Sequence, residues 1–360
     1  MRARLVPVLR SMTRPGVMLA AALLIARPAP GVEPHPAAPP PAPAGSAVAA
    51  LRTEAKALRP LVSTRWVRRC LEATEVLPSI PPRTLYGDEA KTRYRSASEA
   101  DALPEAERAA LVARVLDEDF YYNTRYGTPL AYARPLDILG AAGFQPARAK
   151  ILDFGFGGIG QLRLLASLGA EVHGIEVDPL TRALYSWPGD QGPIRGYHGS
   201  GGSVELHYGR FPVDETLTKA VGGGYSLFLS KNTLKRGYIH PEQPVPDRQR
   251  IDLGVDDAAF VRRLSGMGVP GGLVMIYNLT PAPNQPGKPY IPWADGRCPF
   301  DREIWEQAGF EVEAYNKDDS AAARAMARAL GWNKGDSPMD VEADLFAQYS
   351  LFRLKRPAKS

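Results

Sequence analysis

The spacing of apolar and polar positions changes along this chain, and each change marks an element. Residues 46–75, SAVAALRTEAKALRPLVSTRWVRRCLEATE, carry apolar side chains at helical intervals, interrupted at Pro60. Pro78, Pro81 and Pro82 end that segment, and a polar, arginine-bearing stretch runs on to Ala102. From Pro104, PEAERAALVARVLDEDF reads as one helix, with proline in its first turn and acids near its start. The tyrosine-rich FYYNTRYGTPLAYARPLDILGAAG follows and is helical in its latter half. From Lys150 short apolar runs alternate with amphipathic ones. ILDF, EVHGIE, VELHY, YSLFLS and GGLVMIYNL read as strands. Helices fall between them at residues 160–169, PLTRALYSW, TLTKAVGGG and DDAAFVRRLSGMG. DREIWEQAGF is then a helix, FEVEAYN a strand, residues 321–330 an inserted helix and DLFAQYSLFRLK a last strand.

Strands alternating with helices predict an α/β fold: a Rossmann-like, doubly wound, mostly parallel sheet covered on both faces. The last two strands are expected to pair as an antiparallel hairpin at its edge. Four segments follow: a leader at 1–31, a proline-rich linker at 32–45, a helical N-terminal extension at 46–127 and the α/β domain at 128–356.

Composition modifies this picture at one end. The net charge of +5 suggests nucleic acid as a partner, but Arg2, Arg4, Arg10, Arg14 and Arg27 precede the first acid, Glu33. Without those five the chain is balanced, so no nucleic-acid partner is expected. Residues 16–26, GVMLAAALLIA, form an apolar core of 11 residues after a basic start, with small residues beyond it. That is the layout of an export signal and predicts an exported or periplasmic protein; the alternative is a misassigned start and a cytoplasmic one. Eleven residues are too few for a membrane-crossing helix, which needs about 20, and no transmembrane span is expected. PAPGVEPHPAAPPPAPA favours extended polyproline conformations and serves as a spacer. Cys70 and Cys298 are too far apart for a Cys-x-x-Cys site and are expected to be two unrelated buried thiols. The sequence contains no His-x-x-x-His, paired cysteine or acidic cluster, so no metal is expected.

Candidate chemistry concentrates in residues 151–179, ILDFGFGGIGQLRLLASLGAEVHGIEVDP. Gly155-x-Gly157-x-x-Gly160 lies between a strand and a helix, with Glu176 closing the next strand. Glycines let the backbone approach a ligand, and the helix start presents unpaired N–H groups. A dinucleotide turn is one reading, and with it an NAD(P)- or FAD-dependent oxidoreductase. Asp153, two residues before the first glycine, argues against it, because a carboxylate repels a pyrophosphate and welcomes an ammonium. A protein that binds a nucleoside without turnover is a further alternative.

At these residues the sequence resembles the class I S-adenosylmethionine-dependent methyltransferases. Asp153-x-Gly155-x-Gly157 and Glu176 match that family's first two motifs, and Pro270-Gly271-Gly272 a later one. The resemblance implies methyl transfer from S-adenosylmethionine. Asp153 and the Gly155–Gly157 backbone would hold the methionine part of the cofactor, Glu176 the ribose hydroxyls and Val177 the adenine. Phe154, Gly158 and Ser230 complete the implied cofactor set. The sequence departs from the pattern at Ile159, at Gly209-Arg210-Phe211-Pro212 and near Tyr225.

The acceptor side is expected at the carboxyl ends of the strands. Lys231 and Asn232 follow the fourth strand, Tyr277 and Asn278 end the fifth, and His240 stands beside a proline. Asn232, Tyr277 and His240 are the candidate catalytic groups. Tyr126, Arg134, Lys231, Asn232 and Asn278 are the candidate substrate contacts, with Tyr126 and Arg134 forming a lid. Tyr290 and Trp293 stand in a long loop that would cover the substrate.

Overall fold

The computed structural model describes residues 46–124, 127–285, 287, 289–335 and 338–356. The expected leader and spacer, and Tyr126 of the expected lid, lie outside these residues.

The described chain opens with α1 (Ala47–Leu58), capped by the Ser46 hydroxyl, which accepts from the Ala49 N–H at 3.2 Å. α1 buries Val48, Leu51, Ala55 and Leu58, three or four residues apart, and α2 (Arg65–Glu72) buries Trp66, Val67, Cys70 and Leu71. The extension then departs from the expected helical form, which has no strand. β1 (Arg83–Gly87), β2 (Tyr94–Ser96) and β3 (Val112–Leu116) make an antiparallel sheet in the order β2-β1-β3. Short helices α3 (Ala97–Asp101) and α4 (Glu105–Ala109) join β2 to β3. The single helix expected from Pro104 is therefore cut in three: α4, then β3, then α5 (Glu118–Asn123). Long-range pairing decides this. Residues 112–116 find a partner strand in β1, with Leu85 opposite Arg114, and that pairing overrides a local preference for helix. Arg83 of β1 is buried and grips Asp190 with two hydrogen bonds of 2.7 and 2.8 Å, fastening the small sheet to the main body.

The main body follows as α6 (Ala133–Ala141), β4 (Lys150–Phe154), α7 (Gly160–Ser167), β5 (Glu171–Glu176), α8 (Pro179–Leu184), β6 (Gly192–Pro193), β7 (Ser203–Tyr208) and α9 (Glu215–Val221). Then come β8 (Tyr225–Lys231), α10 (Arg236–Ile239), α11 (Asp257–Met267), β9 (Gly268–Thr280), α12 (Arg302–Gln307), β10 (Phe310–Asp318), α13 (Ser320–Ala329), α14 (Val341–Asp344) and β11 (Phe346–Leu354). The strands lie in the order β10-β11-β9-β8-β4-β5-β7-β6. β7, β5, β4, β8 and β9 are parallel, and winding reverses between β4 and β8. This reversal is the switch point at which doubly wound sheets bind ligands. β11 runs antiparallel between β9 and β10, so the expected edge hairpin is present.

Alternating residues of each strand feed two cores. Ile151, Val172, Leu227 and Met275 meet α1, α2, α6, α7 and α13 on one face. Leu152, Phe154, Ile175, Phe228 and Val274 meet α11 and α12 on the other. Val67 and Leu71 of α2 share the first core with Leu162, Leu164 and Leu165 of α7, so residues 46–124 and the α/β sheet have one core in common. Cys70 belongs to the first core and Cys298 to the second, and both are free thiols. Burial pushes each thiol up to about 12. Among the described residues no helix is long and apolar enough to cross a membrane.

Candidate functional site

β4 delivers the chain into the glycine turn at the switch point. Gly155 and Gly157 have φ of 72° and 60°, left-handed values that favour glycine. Phe156 between them points inward, where its ring lies against Gly174 of β5 and Tyr185.

Two carboxylates flank the turn on the same face of the sheet. Asp153 is fully buried. Its Oδ2 accepts from Gln161 Nε2 at 3.1 Å, while its Oδ1 is buried with no hydrogen-bond partner. Burial pushes its carboxyl up to about 7, against the lowering effect of Gln161, the Tyr132 hydroxyl and Lys231. Lys231, at the end of β8, is buried over the Tyr132 ring at 5.1 Å. Burial pulls its ammonium down to about 8, with Asp153 opposing. Glu176 ends β5. Its Oε2 accepts from Gly157 N–H at 3.1 Å, and its Oε1 from Val177 N–H at 2.8 Å and Asp178 N–H at 3.3 Å. Burial raises its carboxyl and these N–H groups lower it. Val177 beside it is 65% exposed, an apolar surface at the lip of the crevice.

Several neighbours are not apparent from the motif. Thr233 donates its hydroxyl to the Gly155 carbonyl at 3.3 Å, and a Cβ on Gly155 would run into it. Gly158 lies beneath Tyr122 and Thr124 of the extension. Gln161 also donates to the Phe156 carbonyl at 2.8 Å, so it ties the turn to Asp153. Its place just inside the helix after the last glycine is the signal that could have found it. Tyr132 stood in the tyrosine cluster, but nothing in the sequence shows that it reaches Asp153.

Other candidates have structural partners instead. Phe154 points to the opposite face and packs with Phe211, Phe228 and Phe260. The buried Ser230 hydroxyl accepts from Leu234 N–H at 3.2 Å. Tyr277 is fully buried and donates to Asp319 Oδ2 at 3.0 Å. Arg134 holds the same Asp319 at 2.6 and 2.8 Å, which accounts for its guanidinium without a lid. Asn278 is buried; its Nδ2 donates to the Leu234 and Gly296 carbonyls at 2.9 and 3.0 Å, tying two loops together. His240 is exposed and pairs with Asp257 at 2.9 Å. Asn232 is half-buried in a left-handed conformation, φ 64°, and its Oδ1 accepts from Leu279 N–H at 2.7 Å.

An opening lies at the carboxyl end of β9. It is a cavity of about 400 Å³ lined by Glu242, Thr280, Tyr290, Asp295, Arg297, Asp318 and Gln348, among others. Arg297 is already held by Asp295 and Glu242, at 2.5 and 2.9 Å. Tyr290 of the long loop reaches it, and its hydroxyl donates to Glu242 at 3.3 Å. Trp293 instead covers Lys235, whose ammonium lies 5.0 Å from its ring.

No protein family and no curated protein matches the sequence. Solved structures similar to part of the chain include a protein of Galdieria sulphuraria named as a sarcosine dimethylglycine methyltransferase, at 13% identity and TM-score 0.36, covering 64% of this chain and 88% of that one. The [4+2]-cyclase SpnF is 16% identical with TM-score 0.36, covering 62% and 82%. A phosphoethanolamine N-methyltransferase of Haemonchus contortus, solved with S-adenosylhomocysteine, is 12% identical with TM-score 0.34, covering 68% and 63%. Likenesses of this size leave the activity to the site itself. By its own strand order and its antiparallel edge, the chain is a Rossmann-like α/β protein with the mostly parallel sheet that the alternation of strands and helices predicts.

Proposed function

We propose that the crevice at the ends of β4 and β5 binds S-adenosylmethionine and that the protein transfers its methyl group to an acceptor. The observation that carries this reading is Asp153: a buried carboxylate near the end of β4, two residues before Gly155, whose Oδ1 has no hydrogen-bond partner. An unpaired buried oxygen costs about 1–3 kcal/mol, so it marks a place where a donor is expected. The residues present fit an amino-acid-bearing nucleoside. Asp153 would take its ammonium, the Gly155–Gly157 backbone its amino-acid part, Glu176 its ribose hydroxyls and Val177 its adenine. Three backbone N–H groups aim Glu176 and leave one lone-pair site of its carboxylate, on Oε2, open for a ribose hydroxyl. The same two carboxylates disfavour a diphosphate, which argues against a nicotinamide or flavin dinucleotide.

When bound, the cofactor supplies an electrophilic methyl group. The chain's own work is then positional: to hold the acceptor in line and exclude water. The cavity beyond β9 is the entry we assign to the acceptor. Its lining holds three carboxylates against one already paired guanidinium, which suits a polar or cationic acceptor. Asp153 and Lys235, each brought by burial to about 7, and Lys231, pulled down to about 8, are buried groups in proton-transfer range at neutral pH.

Calorimetry with S-adenosylhomocysteine, NAD and NADP side by side tests the cofactor. Heat from S-adenosylhomocysteine alone is expected, and heat from a nicotinamide cofactor alone overturns the proposal.

A further inference from the structure

β5 and β7 each contain the triplet Glu-x-His: Glu171-Val172-His173 and Glu205-Leu206-His207. Alternation along a strand puts both members of a triplet on one face. The strands are parallel neighbours with His173 opposite Glu205, so the two triplets merge into one cluster. It lies on the face opposite the one that carries Glu176.

The cluster has ligand geometry. His173 Nδ1 and His207 Nε2 are 2.9 Å apart, and their rings are nearly parallel, at 6°. One oxygen of Glu205 is 3.7 Å from His173 Nδ1, and the other is 3.6 Å from His207 Nε2. Four-coordinate zinc with bonds of about 2.0–2.2 Å needs donors roughly 3.3 Å apart, so shifts of a few tenths of an ångström would seat an ion. The far nitrogen of His173, Nε2, meets Glu171 Oε1 at 2.8 Å. A carboxylate on the non-ligating nitrogen is the usual support of a metal-binding imidazole, because it fixes the tautomer and the ring. Lys150 at 3.2 Å from Glu171 completes the outer set. Both imidazoles are buried, whereas the Glu205 side chain is 58% exposed, which leaves a solvent side for entry and for a water ligand.

We propose that His173 Nδ1, His207 Nε2 and Glu205 form a binding site for one zinc-class dication, with Glu171 orienting His173. Two imidazoles and a carboxylate suit Zn²⁺ among the common divalent ions. The ion ties β5 to β7, the two strands whose ends flank the crevice on that side of the switch point.

The chain holds three other histidines, His35, His198 and His240, so competition from stray imidazoles is small and can be controlled. The full chain, stripped with a chelator, is titrated with Zn²⁺ against a chromophoric competitor. One ion per chain is expected, together with the visible absorption of a four-coordinate site when Co²⁺ replaces zinc. Glu205→Gln changes an exposed side chain and should fold normally; it should weaken binding at least tenfold, as should His207→Gln. Glu171→Gln touches no metal and should cost about 10–100-fold, while His240→Gln changes nothing. Absence of saturable binding to the wild-type chain, or binding that survives Glu205→Gln unchanged, overturns the site.

Discussion

The two faces of β5 hold their ionisable side chains in opposite ways. On the crevice face, Val172 and Gly174 lead to Glu176, whose oxygens are held by the N–H groups of residues 157, 177 and 178. On the other face, Glu171 and His173 are held by side chains: by each other, by Lys150 and by the partner triplet on β7. A carboxylate fixed by backbone cannot turn away, so it is aimed before any ligand arrives. A cluster of side chains can exchange a proton for an ion and re-form around it. The contrast therefore separates the proposed nucleoside site, aimed in advance, from the proposed metal site, which can adapt.

The comparison breaks most sharply at Asp153. Asp153→Asn keeps the volume and removes the charge. Affinity for S-adenosylhomocysteine should fall about 10- to 100-fold by calorimetry, the equivalent of a lost charge-assisted hydrogen bond. Zinc affinity should not change, and loss of both together would mean that the two faces are not independent. Gly174→Ala probes the packing between them. Its Cβ would meet Phe156 at 2.6 Å and Leu162 at 2.9 Å, so overpacking of about 1–3 kcal/mol is expected in denaturant unfolding, with weakened nucleoside binding as Phe156 shifts.

The pH dependence sharpens the same contrast. Without ligand, Asp153 keeps its proton up to about 7 when folded, whereas an unfolded aspartate releases it near about 4. Its contribution to stability is thus complete below about pH 4 and is lost as pH rises through about 7. A ligand ammonium prefers the ionised form, so affinity for S-adenosylhomocysteine should rise through about pH 7. Below that pH it should fall by up to about tenfold per unit, while adenosine shows no such slope. The smallest effect belongs to His240. Its surface pair with Asp257 should contribute less than about 1 kcal/mol, and His240→Gln should leave methyl transfer unaltered.

Much of the sheet was legible because buried parallel strands are short apolar runs, as at ILDF and YSLFLS, separated by amphipathic helices. The glycine turn was legible because its constraints are local. What failed was non-local. VARVL looks helical until Arg83–Gly87 pairs with it. Arg134 and Tyr277 looked free because Asp319, which holds both, is 185 residues from the first and 42 from the second. The His173 cluster escaped a search for helical His-x-x-x-His spacing; its trace is Glu-x-His written twice, at the period of a strand.

The core shared by α2 and α7 has a practical corollary. A chain begun at residue 128, where the α/β domain starts by sequence, would strip Val67, Cys70 and Leu71 from Leu130, Leu136 and Leu164, which border the same small cavity with them. It would also leave Asp190 buried without Arg83. Such a fragment should aggregate instead of showing a smaller version of the activity, so the segment from Ser46 onward belongs to the same folding unit as the sheet.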